Sequence, residues 1–233
     1  MLCELLRLSS RVPQLGPALR WTSRLTASSL PNLFTSGTPY ALTPEAKQIF
    51  VAEDFVVAND FITQAEHDSL VEEVTSKLKR MKYETTHIDS VITGYREAPI
   101  SNWINPANRA VVDRVLELFK GEKLQFLPVH ALDLQADGHI DPHVDNVKYS
   151  GGIIAGLSLL SEAIMRLTQE KDAAAKVEVV IKPRSLYIQR RTCRYEFAHS
   201  ILGPKEKPLL LAEGLVQRQR RISLMFRDDY TGP

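Results

Sequence analysis

The run Arg221-Ile222-Ser223-Leu224-Met225-Phe226-Arg227 alternates with a period of two. Ile222, Leu224 and Phe226 fall on one side, and Arg221, Ser223, Met225 and Arg227 on the other, as in a β-strand between two unlike environments. Arginines at both ends of the polar face, with serine and methionine between them, suit a pocket for a dicarboxylate, because guanidinium grips carboxylate through two parallel hydrogen bonds. An edge strand with solvated arginines gives the same pattern. Upstream, short apolar runs at 124–134, 153–160, 164–167, 177–181 and 186–189 alternate with turn-rich pieces such as Ala136-Asp137-Gly138 and Lys182-Pro183-Arg184. Many short strands spaced in this way read as a β-sandwich or jelly roll.

The first half reads differently. Thr43-Pro44 opens the folded region, and residues 49–57 form a short strand. Thr63 and Glu66 make a capping box for a helix reaching Met81, with Leu70, Val71, Val74, Leu78 and Met81 on the helical period. Asn105-Pro106 caps a second helix that carries Val111, Val112, Val115, Leu118 and Phe119 and stops at Gly121. Helices first and strands later make an α+β chain: two antiparallel sheets with two N-terminal helices packed against one of them. The domain is expected over 41–233, with its strand-rich core at about 124–228.

In the 233 residues, 44% are hydrophobic and 24% charged, which excludes a disordered or collagen-like chain. No stretch approaches the ~18 consecutive apolar residues of a membrane span. Residues 1–40 carry Arg7, Arg11, Arg20 and Arg24 against Glu4, so the net charge of +1 leaves residues 41–233 near −2. An Arg-rich, Ser-rich, acid-poor amphipathic start reads as a mitochondrial transit peptide, and the expected location is the matrix. Two cysteines, Cys3 and Cys193, supply neither a disulfide framework nor a cysteine-built zinc site.

Three triplets have the form H-x-D: His87-Ile-Asp89, His139-Ile-Asp141 and His143-Val-Asp145. Side chains two apart in an extended segment share a face, so each pair can grip one ion. A further histidine completes the 2-His-1-carboxylate triad of non-heme iron(II). Spacing alone does not choose among the three. Of the other histidines, His67 is expected on the surface of the capped helix and His130 in the core of a strand.

His143-Val-Asp145, then His199 within Arg194-Tyr-Glu-Phe-Ala-His199-Ser-Ile201, then Arg221 and Arg227 spaced as Arg-x5-Arg, resembles the ordered motif of AlkB-like Fe(II)/2-oxoglutarate dioxygenases. The likeness extends through Gly156-Leu-Ser-Leu159 and Ser185-Leu-Tyr-Ile188, covers about residues 48–228, and is nearest to the family's mitochondrial member. It implies a double-stranded β-helix that uses Fe(II), 2-oxoglutarate and O2. It also implies iron ligation by His143, Asp145 and His199, Arg221 on the distal carboxylate of 2-oxoglutarate, Arg227 near the keto-acid end or the aspartate, and Tyr187 as a second cosubstrate contact. The Asn-x-Tyr of many relatives is here Leu132 and Leu134, so a more apolar pocket is expected.

The resemblance implies oxidation of a C–H bond and links the mitochondrial member to regulated necrosis and fatty-acid metabolism. A protein substrate is favoured. Residues 83–128, where nucleic-acid members carry a base-stacking lid, hold only Tyr83, Tyr95, Trp103, Phe119 and Phe126, and the mature chain is slightly acidic. The alternatives are oxidative demethylation of mitochondrial RNA, gripped by Arg184/Arg190/Arg191/Arg194 and Arg218/Arg220/Arg221, and a catalytically inert adaptor. The pattern leaves the oligomeric state open and is compatible with a monomer. Residues 1–40 fused to a fluorescent reporter are expected to carry it into mitochondria; a diffuse cytosolic signal would refute the targeting reading.

Overall fold

The computed structural model describes residues 26–85, 91–122, 124–209 and 216–229. The described chain starts with a 3-10 turn at Ala27–Ser29, followed by β1 (Tyr40–Leu42), α1 (Ala46–Ile49), a 3-10 turn at Ala52–Asp54 and β2 (Phe55–Ala58). Next come α2 (Gln64–Leu78), β3 (Ile92–Ile100) and α3 (Pro106–Glu117). The strand-rich part holds β4 (Val129–His143), β5 (Ile153–Leu159), β6 (Ala163–Gln169), β7 (Asp172–Ile181), β8 (Leu186–Arg190), α4 (Arg191–Tyr195), β9 (Phe197–Ile201) and β10 (Arg221–Arg227).

The strands run in the order β1-β7-β6-β9-β4-β10-β5-β8-β2, with β3 beside β4, and the named pairs are antiparallel. β4 belongs to both halves of this curled sheet. Its residues 130–134 pair with β10, while Ile140 and His143 pair with β9. The crossing is made at a bulge, where the register jumps from Thr93↔His139 to Tyr95↔Leu134. Gly94 has φ +66°, and a Cβ on Gly138 would stand 2.6 Å from the Gly94 carbonyl oxygen, so both positions demand glycine. Ala136-Asp137-Gly138 is therefore a kink inside one long strand rather than a turn between two.

Alternation sorts the side chains. Ile222, Leu224 and Phe226 join Ala131, Leu157 and Ile188 on the outer face, where Leu70, Val74 and Leu78 of α2 and Val111, Val112 and Val115 of α3 cover them. Each such fully buried side chain contributes roughly 1.5–3 kcal/mol of hydrophobic stabilisation, so these six hold the helices down. The inner face carries Leu132, Leu134, Tyr187 and Met225, opposite Met165 and Leu167 of β6 and Phe197 and Ile201 of β9. The expected jelly roll with helices on one sheet is what the chain forms. The caps are also as expected: Glu66 N–H donates to Thr63 Oγ1 (3.2 Å), Thr63 N–H donates to Glu66 Oε2 (2.8 Å), and Ala107 N–H donates to Asn105 Oδ1 (2.9 Å).

Several expectations need correction. Packing begins well before Thr43. Ala27 and Leu33 are fully buried, Ala27 N–H donates to the Leu118 carbonyl, and Tyr40 pairs with Val179. Of the described apolar side chains ahead of Thr43, Ala27, Leu30 and Leu33 are buried in the core, whereas Phe34 and Tyr40 stay largely exposed. Residues 1–25 of the expected transit peptide lie outside the described residues. The strand expected at 49–57 starts only at Phe55, after a 3-10 turn whose Asp54 accepts from the Thr192 amide. His67 is buried rather than exposed, and its Nε2 accepts from Leu160 N–H at 3.0 Å, which ties α2 to the end of β5.

One buried charge network joins helix and sheet. Asp133, fully buried on the outer face of β4, accepts from Arg96 Nε (2.8 Å), Arg220 Nε (2.9 Å), Arg220 Nη2 (2.8 Å) and Tyr83 Oη (3.1 Å). Arg96 also donates to the carbonyls of Leu78 and Met81 at the end of α2, and Arg220 to Thr75 Oγ1. Removing the carboxylate strands two cations in low dielectric. Asp133→Ala should cost about 3–5 kcal/mol of unfolding free energy, measured by urea denaturation. A loss under ~1 kcal/mol, the worth of an exposed pair, would show that solvent screens the network.

Candidate metal centre

His143 is the last residue of β4 and lies directly across from His199 of β9, with ring centroids 4.3 Å apart. Asp145 follows two residues later. Its Oδ1 stands 3.2 Å from His143 Nε2 and 3.5 Å from His199 Nε2, and the three donor atoms lie within 4.8 Å of one another. Among the described residues this is the group of His, Cys, Asp and Glu side chains that could hold a metal ion.

Electrostatics prepare all three. Burial pushes the His199 imidazole down to about 3, so it stays neutral with a lone pair to offer. Burial alone would raise the Asp145 carboxyl, but His143, Arg227 and His199 together hold it well below the usual carboxylate range. Arg227 Nε donates to Asp145 Oδ2 at 2.6 Å. At His143 burial pulls down, yet Asp145 and the Asp141 carbonyl outweigh it and the net direction is upward. The contact with that carbonyl, 2.9 Å from Nδ1, fixes Nδ1 as the protonated nitrogen and turns Nε2 toward Asp145.

His139 and Asp141 do not build such a group among the described residues. His139 Nε2 and Asp141 Oδ1 are 3.9 Å apart with no third described ligand beside them, and the ideal Cβ position of Gly203 lies 3.3 Å from the His139 ring. His87 and Asp89 lie outside the described residues. His130, expected in the core, is half-buried beside Glu97, 3.0 Å from Nε2 to Oε2. It lines a cavity of about 210 Å³ with Pro99, Leu127, Pro128, Met225 and Arg227.

Between the two arginines of β10 the inner face forms a buried floor, which the cavity beside His130 reaches at Met225 and Arg227. Arg221 is 2% exposed, and its Nε and Nη2 have no partner. Burial pulls its pKa down, and Tyr187 offsets part of that. A guanidinium with unused donors in a dry interior is costly unless an anion completes it. Tyr187, stacked on Phe55 with centroids 6.3 Å apart, donates its hydroxyl to Met225 Sδ at 3.4 Å, and Ser223 Oγ donates to the same sulfur at 3.2 Å. Leu132 and Leu134 sit on the same floor, opposite Ser223 and Arg221, and make it apolar as expected. Gly156, which enters the sequence reading only within the Gly156-Leu-Ser-Leu159 likeness, shapes this floor. A Cβ there would fall 2.3 Å from Tyr187 Cζ, so the ring lies flat only because residue 156 has no side chain. A glycine inside an apolar strand run was the available signal.

Comparison with known proteins agrees with this geometry. A profile of the 2OG-Fe(II) oxygenase superfamily matches residues 93–227. The chain is 41% identical over 176 residues to the mitochondrial alpha-ketoglutarate-dependent dioxygenase alkB homolog 7 of Mus musculus, covering 75% of this chain and 78% of that one. Among solved structures, a Pseudomonas putida prolyl-4-hydroxylase shares the fold at TM-score 0.52 and 14% identity, over 76% of this chain and 92% of that one. OsALKBH1 does so at TM-score 0.53 and 15% identity, over 76% and 99%. Within the pocket floor, Gly156→Ala should drive Tyr187 off its seat and cost roughly 1–3 kcal/mol on chemical denaturation; an unchanged midpoint would show that the ring has room to move.

Proposed function

The chain belongs to the 2OG-Fe(II) oxygenase superfamily, and on that footing we propose that His143, Asp145 and His199 hold Fe(II) while Arg221 and Tyr187 seat 2-oxoglutarate, for hydroxylation of a C–H bond on a protein substrate in the mitochondrial matrix. The enzyme is an Fe(II)/2-oxoglutarate-dependent dioxygenase of the alkB homolog 7 type, and its relatives are named as mitochondrial. When bound, the metal and keto acid couple decarboxylation to succinate with transfer of one oxygen atom of O2 to the substrate. A link to regulated necrosis and fatty-acid metabolism would lie downstream of that oxidation. The arginine-rich, acid-poor segment at residues 1–40 is proposed to act as the address label.

The observation that carries the chemistry is Arg221, a buried guanidinium with two unused donors on the pocket floor whose other end, Arg227, holds the triad's carboxylate. Its fork takes a carboxylate through two parallel bonds, and Tyr187 braces it from β8. Arg227 keeps Asp145 ionised and oriented. His199, kept neutral by burial, offers its lone pair directly, whereas at His143, whose pKa is raised, a metal would have to displace the Nε2 proton. Met225, Leu132 and Leu134 keep water from competing for Arg221.

The preference for protein over RNA rests on side chains already committed elsewhere. Tyr83 lies under Arg96 at 4.5 Å, Tyr95 and Trp103 are buried, and Phe119 packs on Phe126 at 5.1 Å, so these rings are not free to stack on a flipped base. The arginine clusters are dispersed too. Arg184 pairs with Asp60, Arg190 and Arg194 are buried, and Arg218 donates to the carbonyls of Leu202 and Gly138. Arg220 is on Asp133 and Arg221 is inside, leaving Arg191 exposed.

Anaerobic addition of Fe(II) and 2-oxoglutarate to the purified chain should give a visible metal-to-ligand charge-transfer band. The band should vanish in His143→Ala and weaken at least tenfold in cosubstrate affinity in Arg221→Ala. Absence of the band in the unaltered chain would favour the inert adaptor. Tight binding of mitochondrial RNA with a steep salt dependence would overturn the protein-substrate part alone.

A further inference from the structure

We infer that Arg194 is a positioning residue that sets Asp145 in register with the two histidines by clamping the far end of loop 144–152, a reading that rests on the proposed metal site. His143 and His199 stand on paired strands, whereas Asp145 stands on a loop. A ligand on a loop holds its geometry only if something other than the sheet ladder fixes the backbone. Packing of the loop's own side chains does not do so, since Val147 is 44% and Tyr149 74% exposed.

What fixes it is polar and comes from both ends. Beside Asp145, Arg227 holds the carboxylate, and Asn146 closes a tight turn by accepting from Lys148 N–H (2.9 Å) and Tyr149 N–H (3.0 Å). At the far end Arg194, 1% exposed, donates from Nε to the Gly151 carbonyl (3.1 Å) and from Nη2 to the Ser150 carbonyl (3.0 Å). Asp228 completes the clamp by accepting from the amides of Gly152 (3.0 Å) and Ile153 (2.7 Å). Gly151 is required there, because a Cβ would fall 2.2 Å from Asp228 Oδ2.

A buried cation is expensive, and this one leaves Nη1 without a partner. Burial lowers its pKa, and Asp145 is foremost among the neighbours that raise it, so the guanidinium lies in the field of the carboxylate it serves. Its fork reaches two successive carbonyls, which a lysine ammonium does not match. Arg194 belongs to α4, which leads directly into β9, so one short segment places both His199 and the aspartate loop.

The test is Mn(II) affinity of the full chain by calorimetry, far below the melting temperature of every variant. Arg194→Met should weaken Mn(II) binding 10–100-fold, with Arg194→Lys in between. A purely structural role predicts a lower Tm with unchanged Mn(II) affinity, and that result would overturn the inference. If Arg194→Met does not fold, Gly151→Ala shifts the same end of the loop; its affinity should fall likewise, and an unaltered value overturns the inference equally. His143→Ala separates the two levels: if it binds Mn(II) like the unaltered chain, the metal site itself is misplaced.

Discussion

A single strand too long for one sheet organises the molecule. β4 pairs with β10 and β3 through its first half and with β9 through its end, so the two halves of the sheet curl over one another. That sharing puts His143 opposite His199, and it leaves Asp145 just past the ladder, where its orientation depends on arginine. Two glycines, Gly94 and Gly138, permit the bend because no side chain fits where their backbones meet. Remove the bend and the triad comes apart, because the strand beyond Gly138 carries His143 and leads to Asp145.

Burial of charge separates structure from function here. Asp133 meets two arginines and a tyrosine, and its network is saturated from every side. Arg221 and Arg194 are buried but incompletely satisfied, and so is Arg190. A fold tolerates a desolvated cation with idle donors only where other interactions hold it in place. An open guanidinium therefore marks the working face only together with the His143, Asp145 and His199 group.

Much of this was legible in the residues, for reasons that are local. Thr63 and Glu66 bracket one turn, so their capping box declares itself in four letters. The period of two in 221–227 sorts the helix-facing side chains from the pocket-facing ones. Less legible were β3, whose Gly94 and Pro99 suppress a strand signal that an edge position tolerates, and β9, where Ala198, His199 and Ser200 interrupt the apolar run. The choice of His143 over His139 was invisible to spacing, since it depends on which triplet the bend carries opposite β9. The partners of Asp133, drawn from residues 83, 96 and 220, and the carbonyls that Arg194 reaches are set by topology, which pattern reading does not see.

The sheet's order has a temporal side. β10 lies between β4 and β5 in the middle of the array, yet it is the last of the described strands along the chain. A polypeptide emerging from a ribosome or a translocation pore amino end first therefore exposes β4 and β5 with their shared neighbour still missing, and both present bare ladder edges until residue 227 arrives. Contacts this distant in sequence close slowly. Until β10 fills that gap the open edges of β4 and β5 can pair with other chains, and the floor residues of β10 and the aspartate's guanidinium partner arrive in that same event.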